Sequence, residues 1–134
     1  MRRHQDDQAR RGHPCVPLAE GSSTPYTGAS AIAALPAEHP DETGVFAATD
    51  LMTQGACQVP REHGRRVPDG TVVAGCDGFS AALSCRPPLT TVRQPVEEMA
   101  ATTARLVDPH VRGGAEAADV AGLRAELVVR ESAR

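Results

Sequence analysis

Asp77 is the residue whose type and position best suit the binding of a small molecule. It follows a short apolar run, residues 71–76, that is predicted to be a buried strand, and it precedes Gly78. Open α/β sheets place their ligands at the carboxyl ends of strands. Asp followed by Gly is also an ordinary turn pair. The position alone therefore leaves a ligand-binding carboxylate and a plain strand-to-turn pair both open.

Residue types that catalysis or metal binding would need are missing or wrongly spaced. All 14 basic residues are Arg, so Schiff-base and P-loop chemistry are excluded. The sequence contains no G-x-S-x-G motif, which would mark a nucleophilic serine. None of the five histidines has the spacing of a zinc site; they are His4, His13, His39, His63 and His110. The cysteines form no C-x-x-C pair, and we expect small buried hydrophobes rather than a zinc site or a disulfide at Cys15, Cys57, Cys76 and Cys85. The sequence predicts a protein that is not an enzyme and has no cofactor or metal.

The charge and the amino-terminal segment limit the partners. The net charge is -3, whereas DNA-binding domains usually carry a basic stripe and a pI above about 9. We therefore expect no direct DNA contact by this chain. No run approaches the roughly 18 apolar residues of a membrane span, and residues 1–7 lack an apolar signal core. A cytoplasmic location without membrane contact is predicted.

The elements that must position Asp77 follow from hydrophobic patterning. Short apolar runs alternate with stretches of helical period, which predicts an α/β fold with a mostly parallel sheet flanked by helices. Strands are predicted near 16–19, 44–48, 71–76 and 90–93, with a further one over 124–130.

Proline and capping residues set the predicted helix bounds. The first helix should run from Pro25 to Leu35 and stop at Pro36, and the second from Leu51 to Gly64 with a break at Pro60. Thr49 or Asp50 should cap the second helix, and we expect Asp50 to be a cap rather than a ligand. A helical turn or two is predicted over 79–84, and a helix over 95–107 that ends at Asp108-Pro109.

The core must be built without rings. Aromatic residues are 2% of the chain, and they are Tyr26, Phe46 and Phe79. Since an aromatic side chain buries roughly 150–250 Å² and Ala very little, a core of Ala, Val and Leu is thin. The sequence therefore predicts a small stability margin.

Five sequence blocks, in one order, resemble the C-terminal half of the effector-binding domain of LacI/GalR-family transcriptional regulators. They are residues 45–52, 66–69, 72–77, 87–95 and 126–132. The resemblance implies a partial periplasmic-binding-protein-like lobe and a function in transcription regulation. In this family a sugar or nucleobase effector binds between two lobes.

The resemblance also implies a set of effector-binding residues. Asp77 matches the carboxylate that takes two hydroxyls or a ring N–H of the effector. Thr49 stands where the family usually has Asn or Asp, and Gln94 stands in the segment that crosses between the lobes. Ser23 stands where an aromatic ring usually stacks on the ligand, and a hydroxyl offers no such face. The implied site is therefore Asp77, Thr49, Gln94 and Ser23.

The same resemblance implies an organisation for the chain. Residues 1–94 would form the core of the second lobe, 95–119 a crossover helix that packs on a first lobe, and 120–134 a returning strand. The first lobe and the helix-turn-helix would be missing. Thr53 and Gln54 fall where the family's dimer helix is small or apolar, which weakens a possible homodimer.

Two functions compete at this point. One is an effector-sensing module whose DNA-binding part is missing, and the other is a non-functional remnant of a truncated or frameshifted regulator gene. A single lobe supplies half of a cleft, so we expect effector affinity no tighter than about 1 mM for the chain alone.

Overall fold

Four strands and four helices alternate along the chain in the computed structural model, which describes Arg10 and residues 17–39, 43–59, 66–111 and 122–134. The elements are α1 (Pro25–Glu38), β1 (Gly44–Phe46), α2 (Asp50–Ala56), β2 (Val72–Asp77), α3 (Ser80–Ser84), β3 (Thr90–Arg93), α4 (Val96–Val111) and β4 (Glu126–Val128), followed by a short 3-10 helix (Glu131–Ala133). Within these ranges no helix combines the length and apolarity needed to cross a bilayer.

The strands form one sheet in the order β1-β2-β3-β4. β1 pairs parallel with β2, and β2 pairs parallel with β3. β4 pairs antiparallel with β3. The predicted mostly parallel α/β sheet flanked by helices is confirmed. Because β1, β2 and β3 point the same way, their carboxyl ends meet at one edge of the sheet.

The predicted strands are found where the apolar runs lie, with one exception. Residues 17–19 have no regular secondary structure, so the described part of the strand predicted near 16–19 is not a strand, and Val16 lies outside the described residues. Pro17 has no N–H to give to a ladder, and Glu20-Gly21-Ser22 follow at once, which leaves too short a run to pair.

Two helices run past the prolines that were predicted to stop them. α1 continues through Pro36 to Glu38, and α4 continues through Asp108 and Pro109 to Val111. Each proline lies in the last turn of its helix, so the hydrogen bond lost with its missing N–H and the clash of its ring fall near the end of the helix rather than in its interior. α2 ends at Ala56, and Pro60 lies outside the described residues.

The core contains no aromatic side chain among the described residues. The buried cluster packs helices against the sheet and consists of Ile32, Ala56, Cys57, Val59, Val73, Ala82, Cys85 and Leu89. Tyr26, Phe46 and Phe79 are all exposed. The prediction of a core made of small aliphatic residues is confirmed, and Ile and Cys belong to it as well.

A buried hydroxyl fastens the end of the chain to the middle of the sheet. Ser132, in the 3-10 helix, accepts a hydrogen bond from the Thr90 backbone N–H (2.8 Å) and donates to the Val73 carbonyl (2.6 Å). The Thr90 hydroxyl in turn donates to the Arg130 carbonyl (2.9 Å). On α4, by contrast, the apolar side chains of Val96, Met99 and Val107 are exposed.

Candidate functional site

Asp77 closes β2 with its carboxylate held in place by a neighbouring side chain. Its Oδ1 accepts a hydrogen bond from Gln94 Nε2 (2.9 Å), and its carbonyl accepts one from the Gln94 backbone N–H (3.1 Å). Asp77 is half-buried, and its φ is 122°. Such a backbone conformation costs a non-glycine residue about 1–3 kcal/mol and tends to cluster at functional sites. Asp77 and Gln94 are thus brought together as a fixed polar pair.

The connection after Asp77 requires glycine. Gly78 has a φ of 79°, and a Cβ there would lie 2.8 Å from the Arg93 Cα. The chain therefore passes directly over the end of β3, and this is what places Asp77 next to Gln94. Asp77 is the last residue of β2, and Gly78 and Phe79 connect β2 to α3 without a regular turn.

Thr49 lies at the same edge of the sheet. Phe46 of β1 pairs with Ala74 of β2. Thr49 lies three residues after Phe46, and Asp77 lies three residues after Ala74, so the two residues are at the same level of the sheet. Thr49 is also the N-cap of α2, and its hydroxyl oxygen accepts a hydrogen bond from the Met52 N–H (3.2 Å). The hydroxyl hydrogen remains available to a ligand.

Asp50 is the buried support of this edge. It is fully buried, and its Oδ2 accepts hydrogen bonds from the backbone N–H groups of Gly78 (2.8 Å) and Phe79 (2.9 Å). Its Oδ1 accepts one from the Thr91 hydroxyl (2.6 Å). A buried carboxylate needs such partners, because an unpaired one costs several kcal/mol. Asp50 therefore links three parts of the chain: α2, the Gly78–Phe79 connection that follows β2, and β3.

Gly75 makes room for that carboxylate. A Cβ at Gly75 would lie 2.7 Å from Asp50 Oδ1 and 2.7 Å from Thr53 Oγ1. Any larger residue at this point of β2 would displace the buried side chains beneath the site. The glycine is thus part of the support for Asp77.

Of the two residues predicted to cap α2, Thr49 is confirmed and Asp50 is wrong. The Asp50 carboxylate instead acts across the sheet, where it accepts hydrogen bonds from the Gly78 and Phe79 N–H groups. Thr53 is fully buried and donates to the Thr49 carbonyl (2.7 Å), so it lies inside the chain and cannot weaken a dimer surface. Gln54 is half-buried, and its Nε2 donates to the Ala81 carbonyl (3.5 Å).

Ser23 lies on a different surface. It is exposed with a φ of 56° and lines a cavity of about 720 Å³ between residues 17–23, α1 and β1. Thr49, Asp77 and Gln94 do not line that cavity. The structure thus joins Asp77 and Gln94 by hydrogen bonds and places Thr49 at the same edge of the sheet, while a role for Ser23 stays a prediction.

Sequence reasoning missed two residues at this edge. Asp50 was given a local role, and no local signal shows that its partners lie 28 to 41 residues away. Arg93 pairs in register with Asp77, and its guanidinium donates to Glu126 (3.3 Å) on the rim of the site. An arginine that ends a strand beside a predicted binding carboxylate was the available signal.

The described residues hold no cluster of metal ligands. No group of three His, Cys, Asp or Glu side chains comes together within them. The predicted site would offer a ligand hydrogen-bonding groups: the second oxygen of Asp77, the hydroxyl of Thr49 and the amide oxygen of Gln94. Such a set suits a ligand rich in hydroxyl or ring N–H groups.

Comparison with known proteins identifies the class. Residues 1–133 match the family described as a periplasmic binding protein-like domain. The chain belongs to this family. It is 39% identical over 115 residues to the HTH-type transcriptional regulator CelR of Thermobifida fusca, covering 86% of this chain and 34% of that protein. It is 31% identical over 115 residues to the HTH-type transcriptional repressor PurR of Edwardsiella ictaluri, with the same coverage.

Solved structures agree in fold. The complex of the transcriptional regulator CelR with cellobiose superimposes with a TM-score of 0.84 at 34% identity, over 96% of this chain and 40% of that chain. A LacI family regulator from Arthrobacter sp. FB24 in complex with lactose gives a TM-score of 0.80 at 28% identity, over 96% of this chain and 48% of that chain.

These matches confirm the resemblance to the sensor domain of LacI/GalR-family regulators, a family of transcriptional regulators and not of enzymes. The chain spans about a third of the length of CelR and PurR.

Proposed function

We propose that this chain senses a small polar effector of the sugar or nucleobase class with Asp77, Thr49 and Gln94. The observation that carries the proposal is the Asp77 carboxylate, fixed at 2.9 Å by Gln94 at the carboxyl edge of a parallel sheet. A carboxylate pre-oriented in this way accepts hydrogen bonds from a ligand without first paying to order itself.

Two relatives of known structure support the ligand class. The structures most informative here are complexes with cellobiose and with lactose, both of them hydroxyl-rich disaccharides. The absence of an aromatic ring at Ser23 removes a stacking surface, so hydrogen bonds from the sheet edge carry the recognition. A sugar makes such bonds through adjacent hydroxyls, and a purine through a ring N–H.

The wider role follows from the family. We place the chain in the cytoplasm, as part of the effector control of a transcription regulator, with DNA contacted by a part outside this chain. Residues 1–94 and 120–134 would form one lobe, and 95–119 would pack on another. A homodimer is part of this proposal only in the weakened form predicted from Thr53 and Gln54, of which Thr53 is buried in the chain.

Chemical-shift mapping tests the location of the site. The ¹⁵N-labelled chain is titrated with cellobiose, glucose, ribose and adenine up to about 20 mM, which covers a millimolar dissociation constant. We expect shifts for one class of ligand at the amides of Thr49, Gly78 and Gln94. Shifts confined to the cavity beside Ser23 would contradict the assignment.

The same titration separates sensing from the alternative of a non-functional remnant. A folded chain that shows no saturable shifts with any ligand of the panel supports the remnant. Saturable shifts at the sheet edge support the sensor, and the ligand that produces them names the effector class.

A further inference from the structure

β1 is an edge strand whose outer side has no strand partner within the described residues, because the sheet order there is β1-β2-β3-β4. The Thr43 carbonyl and the Ala47 N–H are both bonded to β2, at 2.8 Å and 2.9 Å. Since the backbone groups of successive strand residues point to alternate sides, Gly44 and Phe46 direct theirs away from β2. The outer side of β1 therefore offers the N–H and carbonyl groups of Gly44 and Phe46 to a further strand.

The space beside this edge is the cavity of about 720 Å³ that Ser23 also lines. It lies between β1, α1 and residues 17–23. Residues 17–22 have no regular secondary structure, and α1 contributes Gly28, Ala31 and Ile32 to the wall. The unpaired edge of β1 thus faces an enclosed, mostly apolar space rather than open solvent.

The cavity has the size of a short strand. Strands lie about 4.8 Å apart, rise about 3.3 Å per residue and pack in layers about 10 Å thick, which gives roughly 160 Å³ per residue. A volume of about 720 Å³ therefore holds roughly four to five strand residues. Glu20 is exposed and is the one charged residue of the lining, so it complements a basic residue at an end of such a strand.

We propose that the β1 edge and this cavity accept an extended segment of another polypeptide as an added strand. The segment has roughly four to five residues, with aliphatic side chains facing α1 and a basic residue at one end. Main-chain hydrogen bonds to Gly44 and Phe46 give such a strand its affinity. The inference goes beyond effector sensing and does not depend on it, because Thr49, Asp77 and Gln94 do not line the cavity.

Two other occupants fit these observations less well. A small apolar molecule would fill the volume but leave the backbone groups of Gly44 and Phe46 without partners. A second copy of this chain would bring its own β1 edge together with the rest of its sheet. The walls formed by α1 and residues 17–23 leave room for an isolated strand and not for the edge of a folded sheet.

Amide hydrogen exchange with a model peptide tests the proposal on the wild-type chain. The probe is the acetylated and amidated peptide Arg-Val-Thr-Val-Thr-Val-Arg, titrated to about 5 mM into the ¹⁵N-labelled protein. We expect saturable binding and exchange at least about tenfold slower at the Gly44 and Phe46 amides. The Ala47 amide should change little, because its N–H is already bonded to the Ala74 carbonyl.

A pair of variants at Phe46 separates the backbone group from the ring. Phe46→Pro removes the outward N–H of an edge strand, whereas the bonds of Thr43 and Ala47 to β2 do not use that group. Phe46→Ala removes the ring and keeps the N–H. We expect Phe46→Pro to bind the peptide about tenfold more weakly than Phe46→Ala. Far-UV circular dichroism checks that both variants fold, and the wild-type exchange result stands without either.

Three results would overturn the proposal. The first is the absence of saturable binding of the peptide to the wild-type chain. The second is binding that shifts cavity residues without slowing exchange at Gly44 and Phe46, which would indicate a pocket for apolar molecules. The third is protection of these two amides without peptide that increases with protein concentration, which would assign the edge to a second copy.

Discussion

Replacing Asp50 should damage the fold more than any surface carboxylate, because three hydrogen bonds converge on it. Asp50→Ala leaves the Gly78 and Phe79 N–H groups and the Thr91 hydroxyl without this acceptor. An unpaired buried donor costs about 1–3 kcal/mol, so the loss of stability from three such donors is about 3–9 kcal/mol. Since the free energy of unfolding of a small domain is about 5–15 kcal/mol, this variant should be largely unfolded or close to it.

Asp50→Asn gives the finer measurement. Its amide oxygen can still accept from the two N–H groups, and its NH₂ can donate to the Thr91 hydroxyl, so about 1–3 kcal/mol should be lost with the charge. Thr91→Val removes only the hydroxyl and should cost about 1–2 kcal/mol. Urea unfolding followed by far-UV circular dichroism measures both variants and their combination. The two residues touch, so the double variant should depart from additivity by about 0.5–3 kcal/mol.

A matched control is Asp69, which lies in the turn before β2. Asp69 is exposed and only 3.9 Å from Arg66 in a surface ion pair, so Asp69→Asn should stay within about 0.5 kcal/mol of wild type. If Asp50→Asn behaves like Asp69→Asn, or if Asp50→Asn and Thr91→Val simply add, the buried network does not hold this edge together.

Two further predictions concern helix packing and pH. Gly55→Ala should destabilise the chain by about 3 kcal/mol or more, because a Cβ there would overlap the Pro25 carbonyl oxygen. In the control Gly122→Ala, the new Cβ has nothing within 4 Å, so its effect should be near neutral. Equal unfolding midpoints for the two variants would refute this prediction. A hydrogen bond from Cys57 lowers the pKa of Cys85 from 9.0. The ionised Cys85 therefore adds to the stability of the fold at pH values above the unfolded-state pKa, and this stabilisation is lost as pH falls through the folded-state pKa. The stability difference between wild type and Cys85→Ser should therefore grow as pH rises toward 9.0, and a flat or falling difference would contradict the pKa direction.

The sequence predicts the sheet well because each strand is a local signal. The apolar runs before Asp77 and Gln94 are short and bounded by turn residues, and the structure has β2 and β3 there. The positions of Thr49 and Asp77 at one edge follow from parallel pairing alone.

What the sequence could not show depends on contacts between distant residues. Asp50 reads locally as a helix cap, yet its partners belong to β3 and to the connection after β2. Cys57 and Cys85 have no motif spacing, and only the packing of two short helices places both in one buried cluster. Sequence rules predict that a helix ends before Pro36, but they do not show that α1 continues for only two residues beyond it, to Glu38.

The dissociation constant for the effector, compared between wild type and Asp77→Asn, tests the central claim most directly. The ligand identified by chemical-shift mapping is titrated into wild type, into Asp77→Asn and into Asp69→Asn, the control in the turn before β2. We expect a dissociation constant of about 1 mM or weaker for wild type, because one sheet edge buries only part of a ligand. Asp77→Asn should weaken binding about tenfold, as expected when a charged hydrogen-bond acceptor becomes neutral, and Asp69→Asn should not change it. Equal affinity of wild type and Asp77→Asn, with both folded, would contradict the assignment of Asp77 as the effector-binding carboxylate.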